Sequence, residues 1–112
     1  EYIAGSFCMR GGNTLFGRHW GCVEHYKHLH FELCYYQNID FCIQEKIRTF
    51  DAGAQGEHKI TRGFEPITTW SNHLIADKGF SSAISDFLKQ ETSAVKNYID
   101  GLAEHSAFRN IE

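Results

Sequence analysis

The sequence predicts an α+β fold, a mixed sheet with helices packed on it, in the order β-β-α-β-loop-β-α. Three observations predict it. Apolar residues fall at helical spacing in two stretches only, near 31–46 and 80–105. Short strand-like runs with turn signals separate them. The nine Phe, five Tyr and two Trp supply enough large apolar surface for a core, which excludes a disordered chain. At 112 residues the chain is read as one domain.

Residues 2–9, Tyr2-Ile-Ala-Gly-Ser-Phe-Cys-Met9, read as the first strand. Arg10-Gly-Gly-Asn13 follows as a turn, since Gly-Gly supports positive φ. Residues 14–24 read as the second strand of a hairpin, with Gly17 and Gly21 marking a bulge or a close backbone approach. Phe31, Cys34, Tyr35, Ile39, Cys42 and Ile43 make one helical stripe over 31–46. Residues 47–52 read as a short strand. Residues 53–64 are polar and punctuated by glycine, and read as a loop. Pro66 opens a further strand, 67–76, in which Trp70, Leu74 and Ala76 share a face. The last helix, 80–105, carries Phe80, Ile84, Phe87, Leu88, Val95, Tyr98, Ile99 and Leu102 on one side. Asp77 or Ser81 is its expected cap, and Gly101 weakens its final turn by about 1 kcal/mol relative to Ala.

Eleven Lys and Arg against fourteen Asp and Glu leave a net charge of −3, which excludes a generally basic nucleic-acid-binding face but not a local basic pocket. No run reaches the roughly 18 apolar residues of a membrane span, and nothing at the start reads as a signal peptide. Cys8, Cys22, Cys34 and Cys42 contain no Cys-x-x-Cys pair, so a zinc ribbon is not indicated. They read as reduced thiols, and the expected compartment is the cytoplasm. Because one sheet edge is open, the chain is expected either to self-associate or to lack an upstream domain. Its start at Glu1 rather than Met gives the same expectation of a piece of a longer protein.

Three clusters can carry chemistry. Asp51, Gln55, Glu57, His58, Lys59 and Arg62 crowd the loop beside Gly53, Gly56 and Gly63. Glu57 or His58 has the chemistry of a general base, and Lys59 or Arg62 that of an oxyanion or phosphate partner. The plainer reading is a solvated polar loop. His25-Tyr-Lys-His-Leu-His-Phe-Glu-Leu-Cys34 holds ligand types in His28, His30, Glu32 and Cys34, without the spacing of a zinc signature; no metal ligand is assigned. In Thr14-Leu-Phe-Gly-Arg-His-Trp-Gly21, Arg18 and His19 are able to approach a ligand along the hairpin. Trp20 is either a stacking platform or core. No Gly-x-Ser-x-Gly elbow, P-loop or Rossmann glycine pattern is present.

Residues 14–21, His30-Phe-Glu-Leu-Cys-Tyr-Tyr-Gln37, Ala52-Gly-Ala-Gln-Gly-Glu-His-Lys59, Arg62-Gly-Phe64 and Glu104-His-Ser-Ala-Phe-Arg109 resemble a bacterial family. The match is to the C-terminal part of the predicted N-acyltransferases, also described as peptidoglycan biosynthesis/recognition proteins. The resemblance spans nearly the whole chain, and the 52–59 block is its most specific segment. It implies the GNAT superfamily, near the Fem-type enzymes that transfer amino acids from aminoacyl-tRNA. The fold it implies is a GNAT-like half-domain, the C-terminal portion of a longer enzyme, with the last helix a family addition. A fragment of that size is expected to be inactive alone. The implied reaction moves an acyl or aminoacyl group from acyl-CoA or aminoacyl-tRNA to an amine acceptor in cell-wall precursor metabolism. Carried onto this chain, it gives Lys59, Arg62, Glu57 and His58 catalytic roles. It gives Arg18, Lys27, His28, His30, Glu32 and Gln55 donor- or acceptor-binding roles. GNAT enzymes that use acyl-CoA place a Gly-rich loop at the strand–helix junction. Here that junction, 25–31, has no glycine, as in Fem-type enzymes, which points to aminoacyl-tRNA. The alternatives are a non-catalytic module that binds a peptidoglycan precursor or peptide, and a His-rich metal-stabilised dimer.

Overall fold

A computed structural model describes residues 1–54 and 56–108. The fold is mixed α+β, with a three-stranded mixed sheet and helices. The chain divides into two compact units, Glu1–Gln55 and Gly56–Glu112.

In the first unit β1 (Ala4–Gly11) and β2 (Thr14–Cys22) form the expected antiparallel hairpin. Gly12 takes φ 58° at the first turn position, the geometry of a type II′ hairpin turn. The bulge expected at the glycines is present. Phe7 pairs with His19 and Cys8 with Gly17, so Arg18 is the extra residue of β2. The close approach is there too: a Cβ on Gly17 would lie 3.5 Å from the carbonyl oxygen of Asp51. Before the bulge, at Thr14–Phe16, β2 pairs in parallel with β3 (Thr49–Asp51), giving sheet order β1-β2-β3.

The parallel pairing requires a crossover, and the helical run supplies it. It is not the single α-helix that the apolar stripe suggests. A turn of α1 (Leu29–Phe31) leads into a π-helical turn, Glu32–Tyr36, and then α2 (Gln37–Gln44). The wide turn is closed by the Gln37 N–H donating to the Glu32 carbonyl. Asn38 adds donors to this turn: its Nδ2 donates to the carbonyls of Leu33 (3.2 Å) and Cys34 (2.9 Å). The Ser6 hydroxyl adds a bond to the Leu33 carbonyl from β1. Leu15, Cys42 and Ile47 form the core between sheet and α2, with Cys8 and Phe50 against it. Ile43, expected in the stripe, is mostly exposed, since three strands do not cover the helix's whole apolar arc.

In the second unit the loop expected at 53–64 contains a 3₁₀ helix, Glu57–Arg62. The strand expected over 67–76 is absent. Among the described residues this unit offers no strand to pair with, and a lone strand cannot satisfy its backbone. Trp70 and Leu74 therefore stand in solvent, 86% and 100% exposed, instead of lining a sheet face. The last helix is as read: α3 (Lys78–Ala103), capped by Asp77, whose Oδ1 accepts from the Phe80 N–H at 2.7 Å.

Candidate functional site

Two sites emerge, one in each unit. In the first unit, residues 25–28 turn sharply into the helical run, with the Leu29 N–H donating to the Tyr26 carbonyl. His28 takes φ 67°, a left-handed conformation that costs a residue with a side chain about 1 kcal/mol or more. The sequence lacks glycine where the backbone adopts a glycine-type conformation. Beside this turn lies an open hollow of about 350 Å³, lined by Ile3, Tyr26, Lys27, His28, Leu29, Glu32 and Tyr36. Tyr26 is held by its hydroxyl donating to Glu24 (3.2 Å), and Glu32 by Gln37 Nε2 donating to its Oε1 (2.7 Å). The π turn carries both Glu32 and Tyr36 into the wall, a place where such turns recur at functional sites.

The structure thus gathers Lys27, His28 and Glu32 from the expected binding set. His30 goes elsewhere. Its ring meets Trp20, Phe31 and Tyr35 edge-on at 5.3, 5.5 and 5.6 Å between centroids, so it packs in an aromatic cluster rather than in the hollow. Trp20 is engaged there as well, which favours its reading as packing. Arg18 stands exposed on the β-bulge, outside the hollow's walls. Gln55 lies outside the described residues. Three of the four thiols serve packing. Burial pushes Cys8, Cys34 and Cys42 up from the ordinary thiol range, which keeps them protonated; Cys8 also raises the other two, and an Asn38 hydrogen bond partly offsets the effect on Cys8. Among the described residues no three of His, Cys, Asp and Glu converge to hold a metal ion.

In the second unit the 3₁₀ helix carries Glu57, His58, Lys59 and Arg62 together. It is bracketed by Gly56 at φ 101° and Gly63 at φ 86°. At Gly63 both conformation and space demand glycine: an added Cβ would lie 2.9 Å from the Phe108 ring. Two of the segments that carried the resemblance, Arg62-Gly-Phe64 and that containing Phe108, meet here.

With three residues per turn, Lys59 and Arg62 eclipse one another on one face. Arg62 is tied back by Nη1 donating to the His58 carbonyl at 2.7 Å. Glu57 Oε1 accepts from the Tyr98 hydroxyl at 2.6 Å, so α3 orients this carboxylate. The bond to Glu57 raises the Tyr98 hydroxyl above the usual phenol range, with desolvation and the carboxylate's charge adding to it. No local pattern ties Tyr98 to this segment, since it acts across 41 residues. Asn38, Tyr26 and Tyr36 are likewise ordinary in sequence and significant only through their neighbours.

The described part of the chain has no helix long and apolar enough to cross a membrane. A family model described as FemAB-like, peptidoglycan biosynthesis/recognition, matches residues 1–110. No curated protein and no solved structure matches the chain.

Proposed function

The chain belongs to the FemAB-like family of peptidoglycan biosynthesis and recognition, and from that premise we propose that it serves an N-acyltransferase acting on an amine of a cell-wall precursor. The observation that carries this reading is the 3₁₀ segment, which holds a base and a positive face within one short turn. In the reaction the acceptor amine forms a C–N bond to the donor carbonyl. The bond to the leaving ribose oxygen, or to a thioester sulfur, breaks. The carboxylate of Glu57, held at Oε1 by Tyr98, takes the amine proton on Oε2, or the neighbouring His58 takes it. That proton then passes to the leaving oxygen or sulfur. Lys59 and Arg62 stabilise the oxyanion of the tetrahedral intermediate. Lys27, His28 and Glu32 bind donor or acceptor. Arg18, His30 and Gln55 remain proposed binding residues.

The favoured donor is aminoacyl-tRNA, since no glycine-rich phosphate loop opens the helical run, and the place of action is then the cytoplasm. The test offers the full-length parent protein labelled acetyl-CoA, then a labelled aminoacyl-tRNA mixture, with a cell extract as acceptor. Transfer from aminoacyl-tRNA is expected. Lys59→Ala or Arg62→Ala should reduce it by about 100-fold with little change in Tm. Transfer from acetyl-CoA would correct the donor. No transfer from either, with saturable binding of a precursor, would replace catalysis with a recognition role.

A further inference from the structure

Residues 67–74 are all exposed and form no helix or strand. Within them the Ser71 hydroxyl and the His73 ring share a hydrogen bond, Oγ to Nε2, at 2.9 Å. Between two exposed groups such a bond adds little to stability, because water offers each an equivalent partner. Chemically it is a nucleophile within reach of a base. With the ring proton on Nδ1, Nε2 accepts from the Oγ–H and is placed to take its proton. The N–H of Asn72, the amide that follows the nucleophile, donates to no acceptor among the described residues. An amide at that position serves the oxyanion in hydrolases that carry a glycine elbow, and here it is open to the same use. Trp70 and Leu74 bracket the pair, 86% and 100% exposed, and gain by covering an apolar group. From Pro66 to Ala76 there is no Asp, Glu, Lys or Arg, which fits an uncharged substrate. None of these residues has a role in the acyl transfer proposed above.

We propose that Ser71 and His73 form a nucleophile–base pair that hydrolyses uncharged carboxylic esters with an apolar acyl group, received on Trp70 and Leu74. In the first step Ser71 Oγ bonds to the ester carbonyl carbon and gives its proton to His73 Nε2. The bond from that carbon to the alcohol oxygen breaks, and the proton passes from Nε2 to the departing oxygen. In the second step a water oxygen bonds to the acyl carbon and gives a proton to Nε2. The bond from Ser71 Oγ to the acyl carbon then breaks, and Oγ recovers its proton. One ester and one water become one alcohol and one carboxylic acid, with no other reactant. In each step the Asn72 N–H donates to the carbonyl oxygen as it gains charge.

The test follows release of nitrophenolate from p-nitrophenyl butyrate by the full chain carrying Cys22→Ser, which removes an exposed thiol that would itself take the acyl group. Turnover above the buffer rate is expected. His73→Gln should slow it about 100-fold, and Ser71→Ala should bring it to the buffer rate. Both side chains are exposed, so circular dichroism should be unchanged in both variants. Acid quenching followed by peptide mass spectrometry should find the butyryl group on Ser71, and in His73→Gln this label should be lost. The butyryl ester should be preferred to the acetyl ester about four-fold, the effect of burying one methylene. Turnover that survives either substitution overturns the proposal, as does a butyryl group found on lysine and not on Ser71. Equal rates for the two esters overturn the apolar acyl specificity. The assay contains no amine acceptor, so its outcome stands apart from that of the transfer experiment.

Discussion

Asn38 illustrates how much a single side chain does in this structure. Its amide donates to two part-buried carbonyls of the π turn, those of Leu33 and Cys34. Asn38→Ala should lower the unfolding free energy by about 1–3 kcal/mol, the net worth of two such hydrogen bonds. Urea unfolding measures it, and an unchanged midpoint would mean that water takes over both bonds. The buried thiols give a second expectation. Cys8, Cys34 and Cys42 have folded-state pKa values raised by burial above those of the unfolded chain. Their contribution to stability is therefore whole below the ordinary thiol pKa of about 8.5 and is lost as pH rises through the folded values. Tm should fall at alkaline pH, and replacing Cys42 by Ala should flatten that fall. Exposed Cys22 should react with a thiol reagent well before the other three.

Elements follow their local rules wherever local chemistry suffices. The hairpin forms because Gly12 supplies the turn and alternation supplies the strands. Helix α3 starts at Lys78 because Asp77 caps it. Asp77→Ala should cost about 1 kcal/mol. Gly101→Ala should recover up to about 1 kcal/mol, since an added Cβ there meets nothing within 4 Å. Thermal melts followed at 222 nm check both; a gain from Asp77→Ala would mean the cap is unimportant. The segment 67–76 shows the limit of local pattern. Its alternation is real, but a strand exists only when another strand accepts its hydrogen bonds.

Considered whole, the molecule buries little. Only Leu15, Tyr35, Cys42, Ile47 and Ile60 form its buried apolar set among the described residues, while Phe80, Phe87, Trp70 and Leu74 face solvent. The chain should therefore bind the dye ANS at neutral pH, and Trp70 should be quenched by acrylamide far more readily than Trp20. Trp70→Phe should leave the protected emission of Trp20. Equal protection of the two tryptophans would contradict the exposed course of residues 67–76.

Much of the candidate site was legible in the linear order of residues. Glu57, His58, Lys59 and Arg62 lie within six positions, so any local conformation keeps them together. The Lys27–Glu32 turn is similarly short-range, and the hairpin, the bulge at Gly17, the cap at Asp77 and the long terminal helix all depend on neighbours in sequence. Relations across longer separations emerge only in the folded chain. Among these are the Tyr98 hydroxyl on Glu57, the edge packing of His30 on Trp20, and the gathering of Ile3, Tyr26 and Tyr36 into one hollow. The π turn belongs with them, because its cost is met by Asn38 and by a sheet contact through Ser6 that no helical periodicity encodes. The physical reason is one of range. Turn, cap and periodicity energies act over a few residues, whereas packing and strand pairing reward contacts whose partners are chosen only when the chain closes on itself.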